Sequence, residues 1–175
     1  MSWLETVEDG CSSHLSKDVD GNVAFEFCDF ENPEHLNVLA MLVDAYKADP
    51  MGDSPQMSKL QQLRLVDGLA NHPKALIIFV LWNDQIVGFN VCFENFSTFM
   101  VKSYLYIHDF FVLKQFRGRG IAKCMMQELL SISKMRGYCK VTLEVREDND
   151  IAMGLYESFG FEACTPNMLF WTLRI

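Results

Sequence analysis

The chain has 175 residues, a net charge of −8 and hydrophobic side chains at half of its positions, which excludes disorder as the default and argues against nucleic acid as a partner. The length suits one domain with a sizeable core. No apolar run approaches the ~20 residues a membrane helix needs, and Glu5, Glu8 and Asp9 interrupt the N-terminus where a signal peptide would be apolar, so a cytoplasmic protein is expected. Six cysteines, at 11, 28, 92, 124, 139 and 164, form no Cys-x-x-Cys pair and no His pairing at metal spacing. They read as buried reduced thiols, with neither a disulfide framework nor a metal site.

Met1 to Asn22 is polar and glycine-punctuated, a flexible lead-in to a domain spanning 23–175. Val23 to Cys28 reads as the first strand. A helix follows from Asn32-Pro33 or Asp29, with Leu36, Leu39, Ala40, Val43 and Tyr46 on one face. Asp49-Pro50-Met51-Gly52-Asp53 breaks it, and a second helix from about Gln56 to Leu69 carries a stripe of Leu60, Leu63, Val66 and Leu69. Two apolar strands, 75–82 and 85–93, meet at the hairpin signal Asn83-Asp84. A long strand begins at Tyr104. Beyond it, Ile121, Cys124, Met125, Leu129, Ile132 and Met135 recur at helical spacing until Gly137. A strand over 138–145, a helix capped by Asn149 or Asp148 and running to Phe159, and a final hairpin with Met168–Ile175 as its second strand complete a mixed α/β chain.

The chemistry concentrates between the Tyr104 strand and the helix after it, where Gln115-Phe116-Arg117-Gly118-Arg119-Gly120 intervenes. Two glycines there let a ligand approach the backbone, and a helix start leaves its first amides unpaired. No Ser, Thr, Asp or Asn stands at the cap to compete for them. Such a site favours anions, phosphates above all. Residues 110–143 carry seven basic side chains (Lys114, Arg117, Arg119, Lys123, Lys134, Arg136, Lys140) against the single acid Glu128, a basic island in an acidic chain. A dinucleotide fingerprint would need a third glycine where Lys123 stands, and a P-loop would need Lys-Ser/Thr where Ile121-Ala122 stand.

The spacing Gln-x-x-Gly-x-Gly, the preceding Asp109-Phe110-Phe111-Val112, and Asn149 followed seven residues later by Tyr156 and then by Gly160-Phe161 together resemble the GNAT (Gcn5-related N-acetyltransferase) superfamily over about Val23 to Ile175. Residues 105–112, with Phe96-Ser97-Thr98-Phe99 upstream, look most like the spermidine/spermine (diamine) acetyltransferases. The resemblance implies a mostly antiparallel sheet, flanked by helices and splayed between its fourth and fifth strands, with acetyl-CoA in the wedge. Backbone groups of Phe110, Phe111 and Val112 would hold the pantetheine. The loop Arg117, Gly118, Arg119, Gly120, Ile121, Ala122 and Lys123 would take the pyrophosphate, and Asn149 and Ala152 would add cofactor contacts, Asn149 serving equally as a helix cap. The break between the first two helices, with Asp44, Asp49 and Asp53, would overhang the acceptor or be an ordinary solvated turn. Relatives are often homodimers, and Leu169-Phe170-Trp171 would suit an interface or the core.

Acetyl transfer from a thioester to an amine needs a neutral amine, a polarised carbonyl and a protonated leaving thiolate. Tyr156 occupies the family's position for the proton donor. The polyamine enzymes place a glutamate where His108 stands, so His108 is the first candidate base, with Asp109, Glu144 or water as alternatives. Asp109 and Glu144 are placed at the acceptor. Losing a fixed carboxylate at position 108 weakens the case for a polyamine. Strict strand alternation would send His108 and Asp109 to opposite faces unless a bulge intervenes. The expected reaction is direct transfer to a small primary amine, without metal or covalent cysteine; a protein N-terminus or lysine, or CoA binding without turnover, are the alternatives.

Overall fold

The computed structural model describes residues 21–52 and 54–175; the lead-in up to Asp20, and Asp53, lie outside the described residues. The chain divides into two compact units between Glu144 and Val145. The first contains β1 (Val23–Phe27), α1 (Pro33–Lys47), α2 (Lys59–Ala70), β2 (Ala75–Trp82), β3 (Gln85–Ser97), β4 (Lys102–Val112), a 3₁₀ turn over Lys114–Phe116, α3 (Ile121–Met135) and β5 (Val141–Leu143); the second contains α4 (Asp150–Ser158).

Local chemistry sets these boundaries. Asn32 caps α1 by accepting from the Glu34 amide at 2.9 Å, and Pro33 opens the first turn. Ser58 and Gln61 form a reciprocal capping box that starts α2 at Lys59, three residues after the expected Gln56. Asn83 and Asp84 both take left-handed backbone, at φ 49° and 63°, as a tight two-residue hairpin turn requires.

The sheet runs β1-β2-β3-β4-β5, antiparallel throughout except for the parallel β4–β5 pair. One face carries Ile77, Phe79, Phe89, Val91 and Phe111 against Leu39, Leu42 and Val43 of α1 and Leu69 of α2. Burial on this scale, at about 25 cal/mol per Å² of apolar surface, is what holds the helix pair to the sheet. On α3, Ile121, Cys124, Met125, Met126, Leu129 and Ile132 are buried as the helical period predicts, whereas Met135 is exposed.

Three expectations need correction. Leu60 and Leu63 of the α2 stripe are exposed; Leu69 of that stripe is buried as expected, and Leu65, one turn before it, packs against the core in place of the other two. The strand expected over 138–145 is only three residues long. The final hairpin is absent: residues 161–175 hold no strand, and Met168, Leu169, Phe170, Trp171 and Leu173 are all more than three-quarters exposed. Their composition is strand-like, but β propensity expresses packing on a sheet face, and composition cannot supply the ladder partner.

Candidate active site

β4 pairs with β5 only over Leu105–Ile107, although it continues to Val112 along β3. The β4–β5 ladder therefore ends at Ile107. This is the splay between fourth and fifth strands. Phe110, partly exposed, and Phe111 and Val112, both buried, lie on the length of β4 beyond it.

The loop at its end is built from backbone. Gly120 is the N-cap of α3 in left-handed conformation, φ 79°, and no side chain caps the helix. Gly118 is also left-handed, φ +75°, and a Cβ there would enter open space. The amides of Gly118, Arg119, Gly120, Ile121 and Ala122 meet no backbone acceptor among the described residues. The outer two amides of the expected cradle are engaged: Arg117 N donates to Lys114 O at 3.3 Å and Lys123 N to Gly120 O at 3.0 Å. Five amides without a backbone acceptor at a 15-residue helix start fit a pyrophosphate. Both loop arginines are anchored sideways. The Arg119 guanidinium lies over Trp82, 4.9 Å from the ring centroid, and Arg117 lies over Phe111 at 5.2 Å.

The second feature is a bulge. Val91 pairs with Asp109 and the next residue, Cys92, with Ile107, which leaves His108 as the extra residue on β4. Alternation is broken there, and two successive side chains meet: His108 Nδ1 lies 3.2 Å from Asp109 Oδ1. The carboxylate fixes the proton on Nδ1 and leaves Nε2 free to accept. The hydrogen bond to Asp109 raises the His108 pKa above its ordinary value against the opposing effect of burial, with the charges of Asp109 and Glu144 adding to the rise. The imidazole stands edge-on to Phe93 and Tyr106, at 5.7 and 5.9 Å, and His72 packs against the other side of Phe93 at 4.7 Å. Tyr106 donates to Glu144 Oε1 at 3.1 Å, and burial, with this hydrogen bond second, pushes its phenol up to about 12. The result is a half-open aromatic wall with two carboxylates, suited to an ammonium or amine.

The other predicted residues divide. Asp44 and Asp49 are committed to structure: Asp44 accepts from the Met57 amide at 2.5 Å and Asp49 pairs with Arg117 at 2.8 Å. In the second unit, Asn149 caps α4 by accepting from Ala152 N at 3.2 Å, so both members of that expected cofactor pair are engaged with each other. Tyr156 is buried on α4, its ring 5.9 Å from Phe161. Tyr106, Phe93 and His72 were not singled out from sequence, nor was the pairing of Arg117 with Asp49. The alternation Tyr104-x-Tyr106-x-His108 could have flagged Tyr106, whereas the cross-strand partners depend on register. Among the described residues no group of three His, Cys, Asp or Glu could hold a metal ion, and no helix is long and apolar enough to cross a membrane.

Comparisons with known proteins agree with this geometry. The sequence profile described as "Acetyltransferase (GNAT) family" matches residues 39–161. The chain is 34% identical over 79 residues to N-alpha-acetyltransferase 30 of Schizosaccharomyces pombe (strain 972 / ATCC 24843), a match covering 45% of this chain and only about half, 52%, of that protein. Among solved structures it resembles a probable acetyltransferase, with TM-score 0.72, 21% identity, and coverage of 87% of this chain and 97% of that one. It also resembles the aminoglycoside acetyltransferase meta-AAC0020 from an uncultured soil metagenomic sample, in complex with sisomicin, with TM-score 0.70, 18% identity, and coverage of 87% and 97%. A strand–glycine loop–helix cradle beside a splayed β4, in a chain whose family profile covers most of its length, leads to one conclusion: the chain belongs to the acetyltransferase (GNAT) family.

Proposed function

We propose that the chain is an N-acetyltransferase that moves an acetyl group from acetyl-CoA directly to the primary amine of a small molecule, a diamine-like compound or an amino acid side chain. The observation that carries this is the pairing, on one strand, of the His108–Asp109 dyad with the five open amides at the loop beyond it. Acetyl-CoA supplies an activated thioester when bound. The amides of Gly118 to Ala122 would bind its pyrophosphate, and the length of β4 beyond the β5 ladder, Phe110–Val112, would align the pantetheine as an added strand.

At the acceptor, an amine enters as its ammonium and must lose a proton before it attacks. His108 Nε2 takes that proton, directly or through water, while Asp109 holds the ring and stabilises the imidazolium. Asp109 is therefore a positioning residue in addition to an acidic neighbour of the acceptor. Glu144, held by Tyr106, completes the acidic side. Tyr156 is the proposed donor to the leaving sulfur; a phenol near an unperturbed pKa of ~10 is a fair acid for a thiolate of ~8.5 or above. Cys92 is no nucleophile, because burial, with the charge of Asp109 second, raises its thiol far above its ordinary value.

A peptide N-terminus is the second reading, favoured by the similarity to an N-alpha-acetyltransferase. The test is release of free CoA thiol from acetyl-CoA across diamines, lysine analogues, amino sugars and short peptides, with Tyr156→Phe as control. Turnover on one class, lost in the variant, is the expected result and names the acceptor. CoA binding without turnover on any amine would leave a binding module and overturn the enzyme.

A further inference from the structure

The Asp49 carboxylate is nearly buried, its side chain 9% exposed, in the linker between α1 and α2. One oxygen accepts from its own turn, at Met51 N, 3.1 Å away; the other accepts from Arg117 Nη2 at 2.8 Å. Arg117 in turn donates through Nε to the carbonyl of Val112, the last residue of β4, at 2.8 Å, while its guanidinium plane covers Phe111. Tyr46, at the end of α1, packs on the same Phe111 at 5.2 Å. The linker turn is itself tight: Ser54 N donates to Lys47 O at 3.0 Å, and a Cβ on Gly52 would lie 2.1 Å from the Tyr46 carbonyl.

We infer that Asp49 and Arg117 form a strap that sets the phosphate loop, making Asp49 a positioning residue for CoA although it lies 68 positions away in sequence. The inference rests on the proposed use of CoA. Its physical basis is the fork of the guanidinium, which binds in two directions at once. Nε fixes Arg117 to the strand end, and Nη2 fixes it to the linker. The chain between Val112 and Gly118 cannot then shift without breaking one of the two bonds. With the side chain so committed, the cradle stands on backbone amides held in place, and preorganised donors bind without an ordering cost. Lysine has one ammonium and cannot span both acceptors with this geometry.

The experiment is a double-mutant cycle read by calorimetric CoA binding, with thermal unfolding measured separately. Asp49→Asn and Arg117→Lys should each weaken CoA about tenfold, and the double variant should be no weaker than either single one, since the two residues act as a unit. A fall in unfolding temperature with unchanged CoA affinity would overturn the strap as a positioning device, as would additive losses. Should either single variant fail to fold, the pair Asp49→Leu with Arg117→Met removes both charges together. That pair should fold and bind CoA more weakly; wild-type affinity in it would overturn the proposal. Wild-type protein that binds no CoA at all would instead defeat the acyl-CoA reading itself.

Discussion

The glycine loop over Gly118–Lys123 and the aromatic wall over Tyr104–Asp109 belong to one continuous stretch of chain, but they use different parts of the peptide. The loop works through main-chain amides, and two left-handed glycines and the absence of a capping side chain suffice to expose them. The wall works through side chains brought together by a register shift, in which one residue of β4 has no counterpart on β3. Backbone sites tolerate change in their side chains and fail when a Cβ or a charge intrudes. Side-chain sites fail one atom at a time. The contrast suggests why the loop should respond to bulk and the wall to pH.

The largest effect should come from the loop. Gly118→Asp forces a left-handed backbone on a residue with a Cβ and adds a negative charge beside the phosphates, and should weaken CoA by about 100-fold or more, ~2.7 kcal/mol. Calorimetry checks this, and retained affinity would remove the phosphates from the loop. Next in size, Tyr156→Phe should lower kcat by about 10²-fold while CoA affinity stays within about twofold. Weaker CoA binding at unchanged kcat would defeat the role of acid.

The wall should reveal itself in the pH profile. His108 must be neutral to accept a proton, and Asp109 holds its pKa above the ordinary value. Activity should therefore rise with pH through a midpoint above ~6.5, and Asp109→Asn, by replacing the charged acceptor with a neutral one, should move that midpoint downward. His108→Gln should abolish the limb; a limb that survives would assign the base to water or Glu144. The same pair has a stability signature. A raised histidine pKa contributes stability that is complete below the unfolded value and is lost as pH rises through the folded one, so Asp109→Asn should cost stability on the acidic side of neutrality only. Thermal midpoints across pH 5–8 would show it. The smallest effect is expected at Asn149. Its replacement by Ala removes the α4 cap at about 1 kcal/mol, measured by urea unfolding, with CoA affinity unchanged. A matching loss of CoA affinity would return Asn149 to the cofactor.

Failures of sequence reading fall where a partner strand or helix decides. The expected stripe of α2 has helical spacing, but of its leucines only Leu69 is buried, and Leu65 joins it at the core while Leu60 and Leu63 stay exposed. Periodicity finds a helix more readily than it finds which of two apolar rows will be covered. Residues 168–175 have strand composition and no ladder. In contrast, Asn83-Asp84 and the uncapped Gly120 were read correctly from residues alone, and the start of α1 was narrowed to Asn32-Pro33 or Asp29, because caps and tight turns depend on neighbours a few positions away.

The sequence by itself determined the order of β1 to α4, the glycine cradle and its sign of charge, and membership of the family, since each rests on short-range spacing. Only the tertiary structure decided that His108 and Asp109 share a face, that Tyr106 holds Glu144, and that Asp49 is bound to Arg117 and is not a free acidic group above the acceptor. Each of these depends on strand register or on packing across dozens of residues. A one-residue slip in pairing turns every side chain to the other face, and no local pattern in the chain records where that slip occurs.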